Sequence, residues 1–329
     1  MRTTLRFALA AIVLGASVAS APAFAEPEKP ECIAPAKPGG GFDLTCRLAM
    51  SGLKDTKQLS APLRVSYMPG GIGAVAYNAI NAQRPGEGNT IIAFSGGSLL
   101  NLAQGKFGKY TENDVRWLAA IGSDFGAIVV RSDSPLKNLK DLVAALKKDP
   151  SKVVFGAGGT IGSQDWMKAA LTARAAGVDH KTMRFVAFEG GGEVLTALQG
   201  GHIQVMSGDA GEVVGLLKQK APIRVIAVFA ENRLPGVMAD IPTAKEQGFD
   251  IQWPIIRGFY MGPKVSDAEF NWWVGSFDKM LATKEFADLR DARGLFPFNK
   301  TGKELDAFVK ERVTAYRKIA DEFGLVKKK

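Results

Sequence analysis

The chain repeats one local pattern six times: a short apolar strand, a turn rich in glycine, then an amphipathic helix. Residues 31–35 read as a strand leading into Pro38-Gly39-Gly40-Gly41 and a helix from Phe42, with Leu44, Leu48 and Ala49 on one side. Residues 63–68 lead into Pro69-Gly70-Gly71-Ile72-Gly73, and residues 90–94 into Ser95-Gly96-Gly97-Ser98. Further along, residues 153–155 lead into a glycine-rich stretch from Gly156 to Ser163, and residues 184–188 into Glu189-Gly190-Gly191-Gly192. The sixth unit joins residues 203–206 to Ser207-Gly208-Asp209-Ala210-Gly211. Strands that alternate with helices at this spacing form parallel sheets covered by helices. The expected fold class is α/β.

The amino terminus carries an export signal by pattern. Arg2 and Arg6 precede an uncharged, mostly apolar run over residues 7–19, and Ala23-Phe24-Ala25 supplies the small-x-small cleavage site. A membrane anchor would need roughly 20 apolar residues, so residues 1–25 are expected to be a signal peptide and the mature chain to begin at Glu26 in the periplasm. The remaining 304 of the 329 residues exceed what one hydrophobic core usually serves. Residues 126–130 and 256–261 are the least interrupted strand-like segments and are expected to cross between two domains. Domain 1 then comprises 26–130 and 255–329, and domain 2 comprises 131–254. Within domain 1, residues 267–281, 284–293 and 303–323 read as helices.

Charge and cysteine content narrow the function. The formal net charge is +9, yet Lys and Arg are scattered and only Lys327-Lys328-Lys329 forms a run, which is not the basic stripe of a nucleic-acid binder. The two histidines, His180 and His202, lack ligand spacing with Cys or carboxylates, so no metal is expected. Cys32 and Cys46 belong to the exported chain. A disulfide between them would close a loop of about 15 residues and contribute roughly 3 kcal/mol in the chain-entropy model; two buried thiols are the alternative. The disulfide is favoured because a strand and the helix folding back over it can bring such positions together.

In a parallel sheet the six turns all open at the carboxyl edge, where ligands of open α/β sheets bind. Each presents unpaired N–H groups at the positive end of a helix dipole, a site that takes an anion without needing Arg or Lys. A single glycine turn is most simply a tight turn; six in two domains point to a shared anion cleft. Gly71-Ile72-Gly73-Ala74-Val75-Ala76 matches a dinucleotide fingerprint, but the next strand ends in Ser95 where an acidic residue is needed. No Gly-Lys-Ser/Thr phosphate loop and no Gly-x-Ser-x-Gly elbow occurs. An enzyme acting on a small carboxylate would lack its general base.

At the level of longer motifs the chain resembles the tripartite tricarboxylate transporter receptors, the Bug family. Glu31-Cys32-Ile33-Ala34-Pro35-Ala36-Lys37-Pro38-Gly39-Gly40-Gly41-Phe42-Asp43 is similar to that family's first strand and loop. Met68-Pro69-Gly70-Gly71-Ile72-Gly73-Ala74, Phe188-Glu189-Gly190-Gly191-Gly192-Glu193, Leu198-Gln199-Gly200-Gly201-His202-Ile203 and Ala239-Asp240-Ile241-Pro242-Thr243-Ala244-Lys245-Glu246 follow in the family's order. The Cys-containing first loop looks closest to the citrate-binding branch. The resemblance implies a two-lobed periplasmic binding protein of type II-like architecture, each lobe a mainly parallel sheet flanked by helices, joined by two crossover strands. It also implies a monomer with no catalysis and no cofactor, closing on citrate or a related di- or tricarboxylate and docking on a membrane permease. A receptor signalling to a sensor kinase would carry the same features. The implied ligand contacts are Gly40, Gly41, Phe42 and Asp43; Gly71, Ile72, Gly73 and Ala74; Ser95 and Gly96; Thr160, Gly162, Ser163 and Gln164; and Gly190, Gly191 and Asp209. Asp43 can equally serve its helix N-terminus, and Ser163 can cap its helix as well as contact a ligand. Lys37 and Arg257 are the cations nearest the expected cleft.

Overall fold

The computed structural model describes residues 26–326; the expected signal peptide lies outside the described residues. The chain begins with β1 (Glu31–Ala34), α1 (Gly41–Asp55), β2 (Arg64–Tyr67), α2 (Ala74–Ala82), β3 (Thr90–Ser95) and α3 (Gly96–Ala103). A long strand, β4 (Arg116–Arg131), leads to α4 (Leu139–Lys148), β5 (Val154–Gly158), α5 (Gln164–Ala175), β6 (Arg184–Phe188), α6 (Gly191–Gln199), β7 (Val205–Asp209), α7 (Ala210–Lys218) and β8 (Ile223–Val228). The chain then returns through β9 (Pro254–Met261), α8 (Asp267–Leu281), α9 (Lys284–Ala292), β10 (Lys300–Thr301) and α10 (Gly302–Glu322).

The strands form two sheets that share β4. In the first, β2, β1 and β3 run parallel, β9 pairs antiparallel with β3, and the amino-terminal part of β4 pairs antiparallel with β9. In the second, β5, β6 and β7 run parallel, and the carboxyl-terminal part of β4 lies antiparallel between β7 and β8. The α/β class and the two-lobed arrangement follow from this pairing.

The two segments expected to cross between domains, 126–130 and 256–261, lie within β4 and β9. Phe125 still pairs with Pro254 of β9, whereas Gly126 pairs with Asp209 of β7. The first crossing therefore falls inside β4, and residues 126–130 belong to the second sheet instead of ending the first. All of β9 belongs to the first sheet, so the return crossing lies ahead of Pro254, where the Trp253 carbonyl accepts the Gly126 N–H. Taking each sheet as one lobe, we divide the described chain into 26–125 with 254–326, and 126–253.

Burial is uneven between the two faces. On one face the apolar side chains of both sheets merge into a single cluster that includes Phe94, Trp117, Phe155, Trp253 and Tyr316. On the other face each sheet keeps its own cluster, one around Leu48, Phe259 and Trp273, the other around Val129, Leu198 and Val213. A disulfide joins Cys32 of β1 to Cys46 of α1, with Cα atoms 5.8 Å apart. It pins the first helix over the first strand and so fixes the turn between them.

Candidate functional site

The six glycine turns lie at the carboxyl ends of their strands and converge where the two sheets face each other. They line an inner cavity of about 40 Å³, whose walls include Gly41, Ser95, Gln164, Gly191, Asp209 and Arg257. A second cavity of about 220 Å³ lies on the other side of Ile72, bounded by Asn101, Lys106, Thr160, Ser163 and Glu189. Ile72 forms part of both walls and adopts φ of 49°, a left-handed conformation that is costly for a β-branched side chain.

Several helices reach the cleft without a side-chain cap. Gly40 precedes α1 and Gly190 precedes α6, and neither has a side chain to offer the first-turn amides. The absence of a Cβ at Gly41 matters for a different reason. A methyl group there would lie 2.2 Å from Nη1 of Arg257, so the guanidinium can stand against the backbone only because position 41 is glycine. Across the cleft, a Cβ at Gly191 would lie 2.3 Å from Oε1 of Glu212.

Beneath the cavity runs a buried network of charges. Arg257 reaches Asp124 of its own sheet and Asp209 of the other, the latter at 3.0 Å. Lys168, fully buried on α5, donates to the Gly208 carbonyl and pairs with Asp165 and Asp209. A Cβ at Gly126 would meet the Lys168 chain at 2.6 Å, so the glycine at the crossing makes room for this cation. Gln164 donates through Nε2 to Asp209. Glu212 accepts the Gly41 N–H at 2.7 Å through Oε1 and the Asp209 N–H through Oε2.

Four carboxyl groups thus share this buried space with two cations, and their proton affinities diverge. Burial raises Asp209, but Lys168 and Arg257 outweigh that and hold it below its ordinary range. Burial pushes Asp165 up to about 6 and Glu212 up to about 8, the latter with the Asp209 and Asp165 charges adding to the shift. Asp124 is likewise raised by burial despite Arg257. Lys168 stays above its ordinary value because its two carboxylates more than offset its own burial.

Of the residues singled out from the sequence, Gly40, Gly41, Phe42, Ile72, Ser95, Gln164, Gly190, Gly191 and Asp209 line the inner cavity. Gly71, Thr160 and Ser163 line the second, and Gly73, Ala74, Gly96, Gly162 and Asp43 line neither. The Asp43 carboxylate accepts the Gly39 N–H and bonds Arg47 and Tyr67, bracing the first turn. Ser163 caps α5 by accepting the Trp166 N–H. Lys37 forms an exposed ion pair with Glu193 of the other lobe.

Sequence reasoning noted Arg257 only as a nearby cation and missed Asp124, Asp165, Lys168 and Glu212. Part of the signal was available. Asp209-x-x-Glu212 has the spacing of a capping box, and Arg257 is a lone cation inside an apolar strand, a position that demands a buried partner.

Two sheets linked by a shared strand, with helix N-termini of both lobes facing one cleft, define a solute-binding protein of the periplasmic type. The chain belongs to the tripartite tricarboxylate transporter receptor family, whose model matches residues 46–325. It is 24% identical to a UPF0065 protein of Bordetella pertussis over 97% of both chains. Among solved structures it resembles the periplasmic binding protein BugD, with a TM-score of 0.81 at 20% identity, covering 92% of this chain and all of that one. It also resembles MatC from Rhodopseudomonas palustris with bound malate, with a TM-score of 0.76 at 20% identity, covering 88% of this chain and 98% of that one. These likenesses agree with the expected family and fold.

Proposed function

We propose that this protein is an exported receptor that captures a small organic carboxylate between its lobes and delivers it to a membrane permease of the tripartite type. The observation that carries the reading is the bond from the Gly41 amide of one lobe to the Glu212 carboxylate of the other. The α1 N-terminus holds a carboxyl group there, in a cleft lined by both lobes. A ligand carboxylate is the natural competitor for that amide, and charge-assisted bonds to backbone N–H are among the stronger ones a protein makes. The malate in MatC supports a carboxylate as the ligand class, and family membership supports the permease as the partner.

Within this class, citrate was the expectation from the first loop. The test is a thermal-shift screen of the mature protein over mono-, di- and tricarboxylates, with neutral sugars as controls. A ligand at 100 times its dissociation constant adds about 2.7 kcal/mol of stability. The reading expects carboxylates to raise the melting temperature and sugars to leave it unchanged; a screen in which no carboxylate acts overturns it.

A further inference from the structure

We propose that Glu212 is an internal competitor of the ligand: its carboxyl group takes the α1 N-terminus that a ligand carboxylate needs, and binding must displace it. The proposal rests on the carboxylate-receptor reading and adds to it a residue that sets affinity. Glu212 belongs to α7, and one of its oxygens has a local duty there, since Oε2 accepts the Asp209 N–H at 3.2 Å in a capping box. That duty leaves Oε1 unexplained. Oε1 crosses to the other lobe and accepts the Gly41 N–H at 2.7 Å, at the start of a helix whose N-cap, Gly40, offers no side chain. Glycines on both sides make this reach possible. A Cβ at Gly191 would lie 2.3 and 2.5 Å from the two carboxyl oxygens, and one at Gly40 would lie 3.5 Å from Oε1.

Glu212 holds this place weakly, which suits a group that must leave. Among the described residues no Lys or Arg forms an ion pair with it; Arg257 and Lys168 direct theirs at Asp124, Asp165 and Asp209. Burial, with the Asp209 and Asp165 charges adding to it, raises the Glu212 pKa to about 8, so its charged form is disfavoured where it stands. A ligand carboxylate has more to gain from the same corner. Arg257 donates through Nε and Nη2 to Asp124 and Asp209, while Nη1 stands against Gly41 with no hydrogen bond among the described residues. An incoming carboxylate can accept from the Gly41 N–H and from Nη1 together, and bonds to an ionised donor are the stronger kind. Glu212 accepts only the first of the two.

The test measures affinity by calorimetry, with malate, succinate and citrate as probes, for the wild-type mature protein, Glu212→Ala and Glu212→Asp. Alanine removes the carboxyl group, whereas aspartate keeps the charge on a stem one methylene too short to reach Gly41. An occupied fraction lowers apparent affinity in proportion, so occupancy of about nine-tenths predicts binding about tenfold tighter in both variants. Glu212→Asp decides the matter. Weaker or unchanged binding in it, even beside tighter binding in Glu212→Ala, would make Glu212 a ligand contact, a structural cap or a mere source of repulsion. The inference then falls while the carboxylate reading stands. Should Glu212→Asp not fold, hydrogen exchange at the Gly41 amide of the ligand-free wild-type protein decides instead: slow exchange is expected, and exchange as fast as in an open loop overturns the inference. If no carboxylate binds any of the three proteins, both fall.

Discussion

At the scale of single residues, Glu212 is the group whose titration should be felt by the whole protein. Burial leads in raising its pKa from 4.5 to about 8, with the Asp209 and Asp165 charges adding to the shift and Arg257 and Lys168 opposing it. The folded state then keeps a proton that the unfolded chain gives up above about pH 4.5, so stability falls as pH rises from about 4.5 to about 8. Asp165 adds to the same trend up to about pH 6, and Asp209, being depressed, matters only in acid. Urea unfolding at several pH values should show that decline, and Glu212→Gln should flatten it. Gly41→Ala tests the close approach of Arg257. Overpacking costs typically about 1–3 kcal/mol, and the displaced guanidinium should also weaken any carboxylate-induced melting shift. A variant with wild-type stability and wild-type shift would show that Arg257 moves aside freely. Little of this network was legible in the sequence. Asp165 and Lys168 look like ordinary helix charges until α5 is packed against β7, and Asp124 interrupts what otherwise reads as a strand.

At the scale of elements the sequence was far more informative, because strand, turn and helix are written locally. The parallel strands and helices on both sides of the glycine turns fall close to where periodicity puts them, and α8 matches the expected bounds at both ends. The long β4 was only half visible. Gly122, Asp124 and Gly126 look like breaks, and they are tolerated because β9 and β7 take over the pairing in turn. β8 carries Arg224 within its apolar run and becomes a strand by pairing with β4, a non-local fact. The disulfide between β1 and α1 gives the element-scale prediction. Reduction, or a Cys32→Ser and Cys46→Ser double variant, should lower stability by roughly 3 kcal/mol in the chain-entropy model. Mass spectrometry of non-reduced peptides should recover residues 32 and 46 linked, and denaturant melts with and without reductant give the difference.

For the whole molecule, the bonds that bridge the lobes decide how tightly the cleft shuts. Gln104 donates to the Gly162 carbonyl at 2.7 Å and Lys106 to the Ile161 carbonyl at 2.6 Å, both reaching from the first lobe to the turn before α5. Burial lowers the Lys106 pKa to about 8, so this strut weakens as pH rises past that value. Replacing Gln104 and Lys106 together with Ala should enlarge the radius of gyration of the unliganded protein in X-ray scattering, and a saturating ligand should shrink it again; an unchanged radius would mean that other contacts hold the lobes. The continuous apolar cluster on one face carries a practical consequence. Trp253 lies beside Tyr316 of α10, and Trp166 lies beside Phe323 just after that helix, so indole rings of the second lobe rest against the carboxyl-terminal segment of the first. Any rotation of one lobe against the other changes how much water these indoles meet. If ligand binding moves the lobes as proposed, tryptophan emission is expected to shift on adding ligand and to report that movement in real time without a label.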